Sequence, residues 1–79
     1  MTVYAGIDAG SRAIKVVLMD ANGSGIIAKA QADQGIEQDR LACELFDRTL
    51  ADGGIGRSDV RRIVATGYGR GAIHVADTT

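Results

Sequence analysis

The chain has 79 residues, 46% hydrophobic and 24% charged, with a formal net charge of −1. That size allows one small domain, and a domain so small hides only about 60% of the surface its unfolded chain exposes. The near-neutral balance and the absence of an apolar run of roughly 18 residues exclude nucleic acid and a membrane as expected partners, while one cysteine and one histidine exclude an intrachain disulfide and a Cys/His zinc cluster.

Residues 3–7 are a short apolar run ending at Asp8 and read as a buried strand, followed by a tight turn at Ala9-Gly10-Ser11. Residues 13–19 are rich in β-branched side chains and predict a second strand. Asn22-Gly23 is a hairpin-turn signal, and residues 26–31 make a third, loosely alternating strand. From about residue 37 to 52 the period becomes helical, with Leu41, Ala42, Leu45, Phe46 and Leu50 on one face and Gly53-Gly54 as the stop. After a loop, residues 60–66 predict a fourth strand, parallel to the sheet because a helix precedes it. A glycine-rich loop, Thr66-Gly67-Tyr68-Gly69-Arg70-Gly71, follows.

The order is β-β-β-α-β: an antiparallel three-strand meander plus a parallel crossover strand, an α/β arrangement. It is not the βαβ opening of a dinucleotide-binding fold. One helix covers one face of such a sheet, so further helices are expected after Thr79 and the domain reads as incomplete. The N-terminus enters a strand pattern directly, so no secretory leader is expected, and a lone cysteine suits a reducing cytoplasm.

Asp8-Ala9-Gly10-Ser11 is the stretch that carries chemistry. Gly10 permits close approach of a bulky anion, while turn amides and the Ser11 hydroxyl are donors for phosphate oxygens. Asp8 offers a hard carboxylate to Mg²⁺, directly or through water. Lys15 neutralises phosphate charge if its side chain faces the turn, and otherwise faces solvent. The same residues also suit a plain hairpin turn.

Gly6-Ile7-Asp8-Ala9-Gly10-Ser11 with Lys15 resembles the first phosphate motif of the acetate-and-sugar-kinase/heat-shock-protein/actin superfamily. Val64-Ala65-Thr66-Gly67-Tyr68-Gly69-Arg70 resembles the signature of the BadF/BadG/BcrA/BcrD ATPases, which include 2-hydroxyacyl-CoA dehydratase activators and benzoyl-CoA reductase ATPase subunits. The resemblance implies a ribonuclease-H-like (actin-like ATPase) fold, with residues 1–79 as part of its N-terminal half. It implies that Asp8, Ala9, Gly10, Ser11, Arg12 and Lys15 hold ATP and that Asp8 serves Mg²⁺. Thr66, Gly67, Tyr68, Gly69 and Arg70 become a candidate switch or interface loop, with Arg70 sensing phosphate or partner state. Arg12 stands where many members carry Thr, which replaces a hydroxyl by a guanidinium.

The implied activity is ATP hydrolysis coupled to low-potential electron transfer. The electron passes from a [4Fe-4S] cluster, held between homologous subunits of a dimer, to a CoA-ester reductase or dehydratase. A ferredoxin-type protein is the implied donor. None of the cluster ligands is expected in this chain, which alone is expected to be inactive. A sugar or small-acid kinase of the same superfamily and an inactive truncated piece are the competing readings.

The remaining residues read as structural. Cys43 lies at the edge of the apolar helix stripe and behaves as a small hydrophobe; Tyr4 and Phe46 are expected in the core. His74 has no neighbour that would make it a base, and Arg61 and Arg62 beside Asp59 suit a solvated strand end. Gly67 to Ala72 lacks the spacing of a dinucleotide fingerprint.

Overall fold

Side chains alternate across a strand, so an apolar residue at every second position commits one face to a core. The computed structural model, which describes residues 2–10, 12–23, 25–33 and 38–67, shows this division clearly. Its elements are β1 (Val3–Ala9), β2 (Ala13–Asp20), β3 (Ile26–Asp33), α1 (Gln38–Gly53), a single 3₁₀ turn (Arg57–Asp59) and β4 (Val60–Thr66). The four strands lie in the order β3-β2-β1-β4. β1 pairs antiparallel with β2 and parallel with β4, and β2 pairs antiparallel with β3. The expected meander and parallel crossover are therefore both present.

The strand ends differ from expectation. β1 runs on through Asp8 and Ala9, and β3 continues to Asp33. Ala9 is in the ladder because it still pairs with Ile14, so the turn starts one residue later than the glycine signal suggested. β4 carries one residue too many near its start: Val3 faces Val60, but Tyr4 faces Arg62. Arg61 is the extra residue, a bulge in a parallel ladder, where bulges are rare.

Val3, Ala5, Ile7, Ile14, Val16, Leu18, Ile63 and Ala65 present one apolar face, and α1 lies across it. The helix contributes Ala42, Leu45, Phe46 and Leu50. Thr49 is equally buried, and its hydroxyl donates to the Leu45 carbonyl at 2.6 Å, which satisfies a polar group that would otherwise be costly there. Cys43 is half-buried at the margin of this stripe. The Arg57 guanidinium stands over the Phe46 ring, 5.6 Å from its centre.

The helix stops at a Schellman turn. The Gly54 amide donates to the Ala51 carbonyl at 3.1 Å and the Ile55 amide to the Leu50 carbonyl at 2.9 Å. Gly54 has φ +68°, and a β-carbon there would touch nothing. Gly54→Ala should therefore cost only the left-handed backbone penalty, about 1–2 kcal/mol. A urea titration will show this as a lower midpoint with an unchanged slope.

The opposite face of the sheet is uncovered among the described residues. Tyr4 is 42% exposed there, with Met19 and Ile26 also open to solvent. Tyr4 is thus not a core residue, contrary to expectation: its position in the alternation sets it beside Gly6 and Asp8, away from α1. No helix among the described residues is long and apolar enough to cross a membrane.

Candidate functional site

Asp8 is at an even position of β1 and therefore points away from the core. Its antiparallel partner on β2 is Lys15 and its parallel partner on β4 is Thr66. All three are exposed, so ammonium, carboxylate and hydroxyl form a row across three adjacent strands. Opposite partners in a ladder bring their β-carbons to about 5 Å, so the row from Lys15 to Thr66 spans about 10 Å, a length suited to a chain of phosphates and not to one small ion. Among the described residues no ion pair joins Asp8 to Lys15, so neither charge is taken up by the other.

The row lines a shallow depression of about 290 Å³ whose floor is Gly6, Val17 and Val64. A larger depression of about 640 Å³ continues along the same face toward Tyr4, Met19, Arg61 and Arg62. Both spaces are mainly apolar-walled; the larger carries Arg61 and Arg62, and the smaller Asp8, Lys15 and Thr66.

Two loops meet at that end because a parallel partner strand finishes where β1 finishes. Gly67 follows β4 with φ +91°. A β-carbon built on it would lie 2.5 Å from the Ala9 carbonyl oxygen and 2.7 Å from Asp8 Oδ1. Real β-carbons never approach atoms so closely, so the α-carbon of Gly67 is pressed against the Asp8-Ala9 backbone and carboxylate. The two glycine-bearing segments, far apart in sequence, are one place in space. That contact was not read from the sequence, although the parallel crossover already implied that both segments end at the same sheet edge.

The predicted site residues separate under this geometry. Asp8, Lys15 and Thr66 come together. Ala9 does not offer its side chain: it is wholly buried on the helix face, so only its main chain reaches the site. Gly10 closes the turn, its amide donating to the Ala13 carbonyl at 3.0 Å. That amide is engaged in the hairpin, which leaves phosphate contacts to the other groups of the turn. Arg12 is exposed at the turn. Ser11, Tyr68, Gly69, Arg70 and His74 lie outside the described residues.

A divalent cation fits this donor set in one way. Among the described residues no three metal-ligating side chains converge. One carboxylate, Asp8, would hold a Mg²⁺ whose other ligands are water and phosphate oxygens, the usual arrangement for that ion. A [4Fe-4S] cluster is not held by these residues alone. It needs four thiolates, and the one cysteine, Cys43, is on α1, across the sheet from Asp8.

No family model matches the chain, and no curated protein matches it in sequence. Solved structures do. One is the activator of the 2-hydroxyisocaproyl-CoA dehydratase from Clostridium difficile with bound ADPNP, at 30% identity and a TM-score of 0.83. That match covers 98% of this chain and 28% of the other. A second is component A of the (R)-2-hydroxyglutaryl-CoA dehydratase of Acidaminococcus fermentans, at 28% identity and a TM-score of 0.84, covering 99% of this chain and 30% of that one. YeaZ from Pseudomonas aeruginosa, at 15% identity and a TM-score of 0.59, covers 82% of this chain and 29% of its own and shares the fold. The chain thus spans less than a third of the length of the structures it matches.

Proposed function

We propose that this chain, which has part of the actin-like ATPase fold, belongs to the family of the 2-hydroxyacyl-CoA dehydratase activators and that its Lys15–Asp8–Thr66 row takes the phosphates of ATP. The row itself carries this reading: a cation, a hard anion and a hydroxyl at one end of an uncovered sheet face. Bound Mg²⁺ supplies charge neutralisation of the phosphates. Asp8 holds that ion or its water shell, Lys15 faces the phosphate charge, and the Thr66 hydroxyl donates to a phosphate oxygen. Gly10 and Arg12 form the turn beside them, with Ser11 as the remaining donor of the motif. Phosphoryl transfer asks little else of a protein than positioning and electrostatic support.

For the gene product that carries this chain, the proposal is an ATPase that activates a 2-hydroxyacyl-CoA dehydratase. ATP hydrolysis there is coupled to low-potential electron transfer from a [4Fe-4S] cluster at the interface of a dimer. Its setting is the cytoplasm, with a ferredoxin-type donor. Two matched structures of about this identity both come from 2-hydroxyacyl-CoA dehydratase systems, which supports dehydratase activation over benzoyl-CoA reduction. The described residues contribute the phosphate end of the site and no cluster ligand.

The test is equilibrium binding of ATP to that gene product with Lys15 intact and with Lys15→Gln. Losing one charged contact to phosphate should weaken binding about tenfold or more. Unfolding temperature should not change, because Lys15 is exposed. Equal affinity of the two proteins for ATP would remove Lys15 from the site and overturn the proposed row.

A further inference from the structure

We infer that Gly67 is a positioning residue for the metal-binding carboxylate of Asp8. The inference rests on the phosphate-site reading above. Three observations carry it. Gly67 adopts φ +91°, a conformation that other residues enter at a penalty. Its missing β-carbon would sit 2.7 Å from Asp8 Oδ1 and 2.5 Å from the Ala9 carbonyl oxygen. Asp8 and Thr66, the residue before Gly67, are direct partners in the parallel ladder, so the approach is fixed by backbone pairing.

The physical consequence is room for the carboxylate. An exposed aspartate on a strand has several rotamers, and most of them do not aim at a bound ion. Because Gly67 has no β-carbon, Oδ1 of Asp8 lies in the space that one would fill, a placement that any other residue at 67 would deny it. The carboxylate so placed lines the depression shared with Lys15 and Thr66, and less ordering is left for binding to supply. A β-carbon at position 67 would push either Asp8 or the end of β1 out of place.

Gly54 provides the control, since it also has positive φ (+68°) but nothing within 4 Å of its missing β-carbon. The experiment compares Gly67→Ala, Gly54→Ala and Asp8→Ala in the gene product that carries this chain. ATP binding is titrated with and without Mg²⁺, alongside thermal unfolding. Gly67→Ala should weaken the Mg²⁺ dependence of ATP binding about tenfold, the scale on which groups that orient a metal ligand act, and leave Mg²⁺-free binding as it was. Gly54→Ala should lower the unfolding temperature and leave both affinities unchanged. In the Asp8→Ala background, Gly67→Ala should no longer change the Mg²⁺ dependence, because that part of its effect passes through the carboxylate, while any effect through the Ala9 main chain is the same with and without Mg²⁺.

Wild-type Mg²⁺ dependence in Gly67→Ala, or an equal loss with and without Mg²⁺, overturns the inference. If Asp8→Ala itself leaves Mg²⁺-dependent binding intact, the site reading fails instead, and the two failures are distinct. If Gly67→Ala does not fold, a crystal structure of the wild-type gene product with ATP and Mg²⁺ decides. The Asp8 carboxylate still resting against the Gly67 α-carbon supports the inference, and a carboxylate swung away from it overturns it.

Discussion

Asp8→Asn should reduce ATP turnover by the gene product at least about a hundredfold while leaving its fold intact. The substitution keeps the shape and removes the charge. A neutral amide oxygen is a poor ligand for Mg²⁺, and positioned charge is usually the largest single contribution to phosphoryl transfer. Loss of one such group typically costs about 10²–10³ in rate. Asp8 is exposed and makes no ion pair with Lys15, so nothing in the sheet depends on its charge. Circular dichroism and unfolding temperature should match the wild type within about 0.5 kcal/mol. Steady-state ATPase assays over a Mg²⁺ titration read the effect directly. Turnover within a few fold of wild type would mean that Asp8 faces the open depression without serving the reaction.

The second large effect is on stability. Phe46→Ala should destabilise the fold by about 3–5 kcal/mol. Phe46 is the largest of the fully buried side chains and lies where α1 meets the sheet. Its ring also seats the Arg57 guanidinium, which would lose that surface. A chain of this length has about 4–12 kcal/mol of stability in total, so one cavity of this size removes much of it. Chemical denaturation should show a large fall in midpoint with the slope retained. A change below about 1 kcal/mol would show that α1 is not held by this face.

The order of elements was legible because each signal was local. Asn22-Gly23 marked the hairpin, the Leu45-Phe46-Leu50 spacing marked the helix, and Gly54 marked its end. Thr49 was missed only because it is polar: it stands four residues after Leu45 and three after Phe46, the spacing of the buried stripe. Tyr4 was misplaced because an aromatic in an apolar run looks like core, whereas strict alternation assigns it to the face of Asp8. β3 alternates weakly since Ala28, Ala30 and Ala32 are small and only half buried.

For the site, the first motif gave the chemistry, and its pairing gave the partners. Lys15 had two orientations open to it from sequence, and the ladder chose the one beside Asp8. Gly67 could not be placed against Asp8 without a register. Register in a parallel pair is set by contacts between distant segments, which no local pattern reports.

The extra residue at Arg61 acts as a ruler for this part of the molecule. Side chains of β4 change faces at every step, so the count from the bulge to Thr66 determines which of them look inward. Deleting Arg61 would only remove the bulge, whereas deleting Val64 would turn Ala65 toward water and carry the hydroxyl of Thr66 to the far side of the sheet. Relatives that keep the same chemistry should therefore keep apolar residues at the Ile63 and Ala65 positions and a fixed count from Ile63 to Thr66, with insertions and deletions confined to the bulge and the loop before Val60.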